Sequence, residues 1–238
     1  MRVAIFLPCR SGSQRIENKC LRPFAGREDG LLGIKLDQLS EVRGVDAIVL
    51  DSNDHQVLEA GRRRQSDWRS AAELIVRERP DELGRSTTAT DSLIAYALAT
   101  VECDVLCWTH VTSPLVEAKH YEQALETYWN RDRDRFDSLM AVTPIRTFLW
   151  SSGRPLNYSP EKLRWPRTQD TGTVYEVNSA FFAVDRALGQ ARRDRVGERP
   201  LLYELDKLTS ADVDWPEDFA LAESLYSLRH QLEVAQHG

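Results

Sequence analysis

An alternation that starts almost at Met1 constrains this chain more than any other feature. A short apolar run, a polar loop and an amphipathic stretch follow one another four times. Val3-Ala4-Ile5-Phe6-Leu7-Pro8 is apolar and ends in Pro, as a buried strand does. Leu31, Leu32, Ile34, Leu36, Leu39 and Val42 then recur at helical spacing. Residues 45–50 read as a second strand that closes in Asp51-Ser52-Asn53-Asp54, a turn and helix N-cap, before a helix over 55–64. A third strand at 72–77 leads through a polar loop into a helix over 92–100. A central strand at 103–109 is followed by a helix over 116–130. Four strand–loop–helix units predict an α/β fold with a doubly wound, mostly parallel sheet. Further strands are expected at 138–143, 175–184 and 201–205. A last helix is expected over 219–232, with Pro216 at its first turn and Glu217 and Asp218 at its positive end.

Open sheets of this kind bind ligands at the carboxyl edge of their strands. The first strand opens there into Cys9-Arg10-Ser11-Gly12-Ser13-Gln14-Arg15-Ile16-Glu17-Asn18-Lys19. Backbone N–H groups, Ser hydroxyls and cationic side chains suit a polyphosphate, and Arg can bond it bidentately. The spacing is not that of a P-loop. Taken alone, the loop fits a solvated basic turn equally well.

The 238 residues, 42% hydrophobic, suffice for a single domain with a sizeable core. A net charge of −6 argues against a general nucleic-acid-binding surface, so the basic loop is a local positive site. No charged segment with a long apolar run precedes the first strand, and no apolar run approaches membrane-spanning length. Neither a secretory signal nor a membrane partner is therefore expected. Cys9, Cys20, Cys103 and Cys107 lack zinc-type pairing and read as reduced thiols, which fits a cytoplasmic setting. His55, His120, His230 and His237 fall on helices or in the tail and are expected to be solvated.

Between about 144 and 175 the alternation breaks. Pro144, Pro155, Pro160 and Pro166 accompany Trp150 and Trp165 without helical period. This excursion suits a subunit contact. Other groups that could carry chemistry sit at strand ends. Asp212-Val213-Asp214, if extended, turns two carboxylates to one face, where they could share one Mg²⁺ with substrate phosphates. An N-cap and a surface Asp fit the same residues. His110, Thr112 and Ser113 follow the central strand, and Arg79 and Thr90 bracket a polar loop. Each can bond a base or sugar, and each can equally cap a helix. Arg167, Gln169, Tyr175 and Asn178 follow the excursion and could contact a polyhydroxylated substrate.

In these residues the chain resembles the CMP-sialic acid synthetases, the acylneuraminate cytidylyltransferases, and their relatives that activate keto-deoxyoctulosonate. Residues 10–19 are similar to the family's R-x-G-S-x-R-x-x-N-K, and Arg79-Pro80-Asp81-Glu82-Leu83 to its R-P-x-E-L. Thr112-Ser113-Pro114-Leu115 is similar to its T-S-P-L. Asn178-Ser179-Ala180 stands where the family has N-G-A, and Asp212-Val213-Asp214 where it has D-x-D. The five occur in order over nearly the whole chain. His110 departs from the usual Gln-Pro, and Cys20 from the usual Asn after Lys19.

The resemblance implies a nucleotide-diphospho-sugar transferase fold and a nucleotidyltransferase. Its substrates would be CTP and a 2-keto-3-deoxy sugar acid such as a nonulosonic acid, and its products a CMP-sugar for cell-surface polysaccharide and pyrophosphate. It implies nucleotide contacts from Arg10, Ser13, Arg15, Lys19, Arg79, Thr90 and His110, with Arg10, Lys19 and Asp214 catalytic. Sugar contacts would come from Thr112, Ser113, Arg167, Gln169, Tyr175 and Asn178, and Mg²⁺ would sit on Asp212 and Asp214. It also implies a homodimer through the excursion. Two other readings stand beside it: a transferase of the same fold using another NTP or acceptor, and a non-catalytic nucleotide-sugar-binding module.

Overall fold

The first apolar run becomes the middle of the sheet. In the computed structural model, which describes residues 1–237 and side chains through Leu232, β1 (Val3–Cys9) is flanked on both edges by parallel strands. Its neighbours are β2 (Ala47–Ser52) and β4 (Val105–Trp108), and β3 (Glu73–Glu78) lies beyond β2. Val3, Ile5, Leu7 and Cys9 enter one apolar cluster and Ala4 and Phe6 the other, as alternation along a strand requires. Both faces are covered, which explains the unbroken apolar run. Pro8 is tolerated because β4 pairs only with Val3 to Phe6, so the ladder on that side has already ended.

Helices α1 (Gly30–Ser40), α2 (His55–Ser66), α4 (Ala118–Trp129) and α6 (Pro216–His237) pack on one face, and α3 (Thr90–Thr100) covers the other. The chain winds outward from β1 through β2 to β3 and returns to β4 on the other side of β1. This reversal places a switch point between β1 and β4, at whose carboxyl ends a crevice opens. Beyond β4 the order continues with β8 (Val174–Asp185), β5 (Ser138–Ile145) and β9 (Pro200–Glu204). β8 runs antiparallel to both neighbours, and β9 is parallel to β5. The doubly wound, mostly parallel sheet expected from the alternation is the one observed.

Four local readings change. Asp51 and Ser52 are the last residues of β2 and fully buried, not part of the turn; Asp54 alone caps α2, accepting from Gln56 N at 2.9 Å. Thr90 is the first residue of α3 rather than a loop residue. The stretch after β8 forms an unexpected helix, α5 (Arg186–Arg192), ended by Arg193 in left-handed backbone. His120 is half-buried and helps cap α4, its Nδ1 accepting from Glu117 N at 2.9 Å. His230 packs edge-on against Tyr226. The side chain of His237 lies outside the described residues.

The excursion contains a two-strand hairpin, β6 (Trp150–Ser151) and β7 (Arg154–Pro155). Phe148, Trp150, Tyr158 and Trp165 cluster there, mostly edge to face with Trp150 stacked on Trp165, yet Trp150 and Trp165 stay 52% and 61% exposed. No described helix is long and apolar enough to cross a membrane.

Candidate active site

The loop after β1 turns back on itself at Gly12, whose φ of 65° lies in the left-handed region open to glycine. Its basic side chains face a cleft of about 460 Å³ at the switch point. The loops after β3 and β4 supply the other walls. Arg10, Ser13, Arg15, Lys19, Arg79, Thr90, His110 and Thr112 all line this cleft. Residues distant in sequence are thus gathered because parallel strands deliver successive loops to the same edge.

Lys19 ties this loop to the far end of the chain. Its ammonium donates to Val213 O at 2.9 Å and lies 3.5 Å from Asp214, which also sits 3.5 Å from Arg15. Asp212 to Asp214 is irregular rather than a strand. Val213 is buried and its N–H donates to Thr112 O at 2.9 Å, which fixes the segment between two carboxylates. Burial, together with Thr112 acting oppositely and Asp214 adding repulsion, leaves the Asp212 carboxyl pushed up to about 6. Asp212 Oδ1 is buried with no hydrogen-bond partner. A buried carboxylate oxygen without a donor fits a cation. No cluster of three or more His, Cys, Asp or Glu occurs among the described residues. Such an ion would therefore complete its shell with water and substrate oxygens, the habit of Mg²⁺.

Arg79 is positioned from behind. Only 2% exposed, it donates to Cys9 O and lies 3.4 Å from the fully buried Asp51. Arg77 holds the other Asp51 oxygen at 2.7 Å. Burial raises the Asp51 carboxyl above its usual range, while both guanidinium groups pull it down. Cys20 lines the cleft beside Cys9, and all four cysteines are free.

His110 lines the cleft as a neutral ring. Burial, reinforced by Arg195 and Lys19, holds its pKa down at about 3. Its Nε2 accepts from Trp108 Nε1 at 3.0 Å, so the nitrogen a general base would need faces away from substrate.

Ser113 is fully buried, and its hydroxyl has no partner. Asn178 is buried at the irregularity where β5 and β8 shift register, donating to Thr143 and accepting from Ala180 N. Ser179 beside it has φ 56°, which explains why a glycine suits this position. Arg167, Gln169 and Tyr175 do not join the cleft. Arg167 and Gln169 are exposed, with Arg167 paired to Asp170; half-buried Tyr175 donates to Glu204 at 2.8 Å.

Sequence reading missed Lys35. It is fully buried in α1, and its ammonium donates to Ser113 O, Val116 O and Tyr121 OH at 2.8–3.0 Å. No carboxylate pairs with it among the described residues, and burial pushes its pKa well below normal. The signal was a Lys on the stripe of Leu31 and Leu39, four residues from each. It anchors the loop whose Thr112 holds Val213. Lys35→Met is expected to remove the donor shared by Ser113 O, Val116 O and Tyr121 OH, although Ser113 O keeps Val116 N and Tyr121 OH keeps Thr109, and to cost about 1–3 kcal/mol in urea denaturation.

The family model described as Cytidylyltransferase matches residues 4–235, nearly the whole chain. The protein belongs to the cytidylyltransferase family. This cytidylyltransferase is 26% identical over 229 residues to the N-acylneuraminate cytidylyltransferase of Oncorhynchus mykiss, covering 93% of the chain but 49% of that relative. It thus spans about half the length of that protein. It is 24% identical to the pseudaminic acid cytidylyltransferase of Campylobacter jejuni, covering 97% of the chain and 99% of the relative. Among solved structures, a CMP:2-keto-3-deoxy-manno-octonic acid synthetase complexed with CTP superposes with a TM-score of 0.65 at 17% identity, covering 96% of this chain and 100% of that one. A 4-diphosphocytidyl-2C-methyl-D-erythritol synthase from Anaerococcus prevotii gives 0.62 at 12% identity, covering 94% and 97%. At these identities the superpositions show the shared fold.

Proposed function

We propose that this cytidylyltransferase transfers CMP from CTP to a 2-keto-3-deoxy sugar acid of the sialic or pseudaminic kind and releases pyrophosphate. The observation that carries the reading is the convergence of Arg10, Ser13, Arg15 and Lys19 with Asp212 and Asp214 at one switch point. The names of its relatives supply the substrate class.

The sugar's anomeric hydroxyl attacks the α-phosphorus, the bond to the β-phosphate oxygen breaks, and pyrophosphate departs. Negative charge grows on the α-phosphate oxygens and on the leaving group. Arg10, exposed at the mouth of the cleft, and Lys19 neutralise that charge, while Ser13 donates a hydrogen bond. Arg79, paired with Asp51, and Thr90 line the cleft, which supports a role for them in holding the nucleoside. Mg²⁺ held by Asp212 and Asp214 would supply charge neutralisation and a lowered pKa for the attacking hydroxyl. Thr112, whose backbone oxygen accepts from Val213 N, holds the segment that carries both carboxylates. Ser113, whose backbone oxygen Lys35 anchors, and Asn178, which ties β8 to β5, support the sugar side from behind, and Arg167, Gln169 and Tyr175 are proposed to reach the sugar only through movement or assembly of the excursion.

The aromatic face of the excursion, with Trp150 and Trp165 half exposed or more, supports a homodimer. The free thiols support a reducing, cytoplasmic setting.

The test incubates the protein and Mg²⁺ with each NTP and with N-acetylneuraminic, pseudaminic and 2-keto-3-deoxy-manno-octonic acids, and measures pyrophosphate. Release with CTP alone among the NTPs, and only with an acid present, is the expected result. Tight CTP binding without release for any acceptor favours a binding module. Release with a different NTP overturns the cytidylyl assignment.

A further inference from the structure

His110 stands in the cleft with both ring nitrogens accounted for in different ways. Nε2 lies 3.0 Å from Trp108 Nε1 and 3.4 Å from Arg195 Nη1. An indole N–H and a guanidinium N–H can only donate. Nε2 therefore carries no proton. A neutral imidazole with a bare Nε2 carries its proton on Nδ1. No described residue bonds Nδ1, and the ring lines the cleft.

The support behind Nε2 is itself rigid. Trp108 is 1% exposed at the end of β4 and packs on Phe6 with ring centroids 4.6 Å apart. Arg195 has no described carboxylate partner and instead lies over aromatic rings, 4.0 Å from the Phe182 centroid and 5.1 Å from that of Trp108. Burial lowers its pKa to about 10, so it stays charged at neutral pH. The Arg195 cation is held in place by the two aromatic faces and aimed at a histidine nitrogen. Its effect on His110 is to exclude the imidazolium, since protonating Nε2 would set an N–H against two donors.

We infer that His110 is a fixed hydrogen-bond donor to bound substrate, with Trp108 and Arg195 as positioning residues that hold its Nδ1–H tautomer. The inference rests on the proposed function only for the identity of the ligand. The partner of Nδ1–H is an acceptor with no proton of its own: a pyrimidine ring nitrogen or carbonyl, or a carbonyl or carboxylate oxygen of the sugar acid. A pyrimidine whose ring nitrogen carries a proton offers only its carbonyl oxygens.

The first measurement needs no substrate. Nitrogen-15 spectra of the imidazole groups, with His110 assigned through His110→Asn, are expected to show Nδ1 protonated and Nε2 bare from pH 6 to 8. An Nε2–H tautomer, or imidazolium at pH 7, overturns the inference whatever the protein's activity. Arg195→Met should move the ring toward ordinary titration; Lys19, on the opposite wall, is the other charge that disfavours its protonation. An unchanged ring in that variant removes Arg195 from the account.

The second measurement identifies the ligand. His110→Leu removes the donor, and His110→Asn returns an amide N–H close to the place of Nδ1. Leu is expected to weaken binding about tenfold and Asn to recover most of it. Loss of CTP affinity, read by calorimetry without acceptor, assigns the nucleobase. A rise confined to KM for N-acetylneuraminic or pseudaminic acid assigns the sugar acid. Wild-type behaviour of His110→Leu in both arms overturns the donor role. A kcat collapse in His110→Asn, with loss of a limb of the pH profile, would show a general base and overturn it too. Should no acid support turnover, the spectra and the CTP titration still decide.

Discussion

Asp212→Asn is expected to lower turnover about 10³-fold while leaving the protein at neutral pH as stable as wild type or more so. The two effects part because the carboxylate costs stability in the absence of a cation. Its pKa stands at about 6 against an ordinary 3.8, so the folded state holds a proton that the unfolded state releases. The stabilisation of the protonated form is complete below the unfolded value and is lost as pH rises through about 6. At pH 7.5 the penalty amounts to at most about 3 kcal/mol. Denaturant melts of the magnesium-free protein should therefore show wild type weaker at pH 7.5 than at pH 5, and Asp212→Asn flatter across that range. Pyrophosphate release measures the other half. A variant that loses stability and activity together would make Asp212 a structural residue, and one that retains activity would remove it from the cation site. Asp214→Ala should also abolish turnover; this half-exposed residue is tied by Arg15 and Lys19, so its loss should spare the fold.

Asp51→Asn is expected to cost about 3–5 kcal/mol. Asp51 is fully buried between Arg77 and Arg79, and Arg79 is 2% exposed. The amide keeps the shape and removes the countercharge, leaving a buried guanidinium uncompensated. Asp51→Asn with Arg79→Met should be more stable than the sum of the two single losses, because the second change removes the orphaned charge. Urea denaturation of the four proteins measures the coupling. A cost below about 1 kcal/mol for Asp51→Asn would show that solvent reaches the two guanidinium groups and would overturn the charge-compensation account. CTP affinity should fall with Asp51→Asn as well, since Asp51 is what aims Arg79 at the cleft.

Much of the fold was legible because alternation reports burial directly. β1 to β4 and the helices between them were marked by apolar period, and parallel strands buried on both faces leave unbroken apolar runs. The misreadings have physical causes. Asp51 and Ser52 carry turn chemistry, but Arg77 supplies the partner that lets Asp51 stay in a buried strand. The D-x-D segment read equally as a strand or as a cap with a surface Asp; it is irregular, held by buried Val213 bonded to Thr112, a contact between residues about a hundred positions apart. α5 is only seven residues long and has no marked stripe.

Residue type and order by themselves determined the fold class, the basic loop as a phosphate candidate and the pairing of carboxylates near the C-terminus. Those properties are local: they depend on period, on turn chemistry and on charge along the chain. Only the tertiary structure decided that Lys19 meets Val213 and Asp214, that Asp212 keeps an unpartnered oxygen, that Lys35 braces the Thr112 loop, and that His110 turns its basic nitrogen to Trp108 and Arg195. It also left Arg167, Gln169 and Tyr175 outside the cleft. Protonation state and hydrogen-bond direction depend on which groups face each other across the crevice. That is set by strand order and the reversal between β1 and β4, a relation between segments that no single stretch of the chain contains.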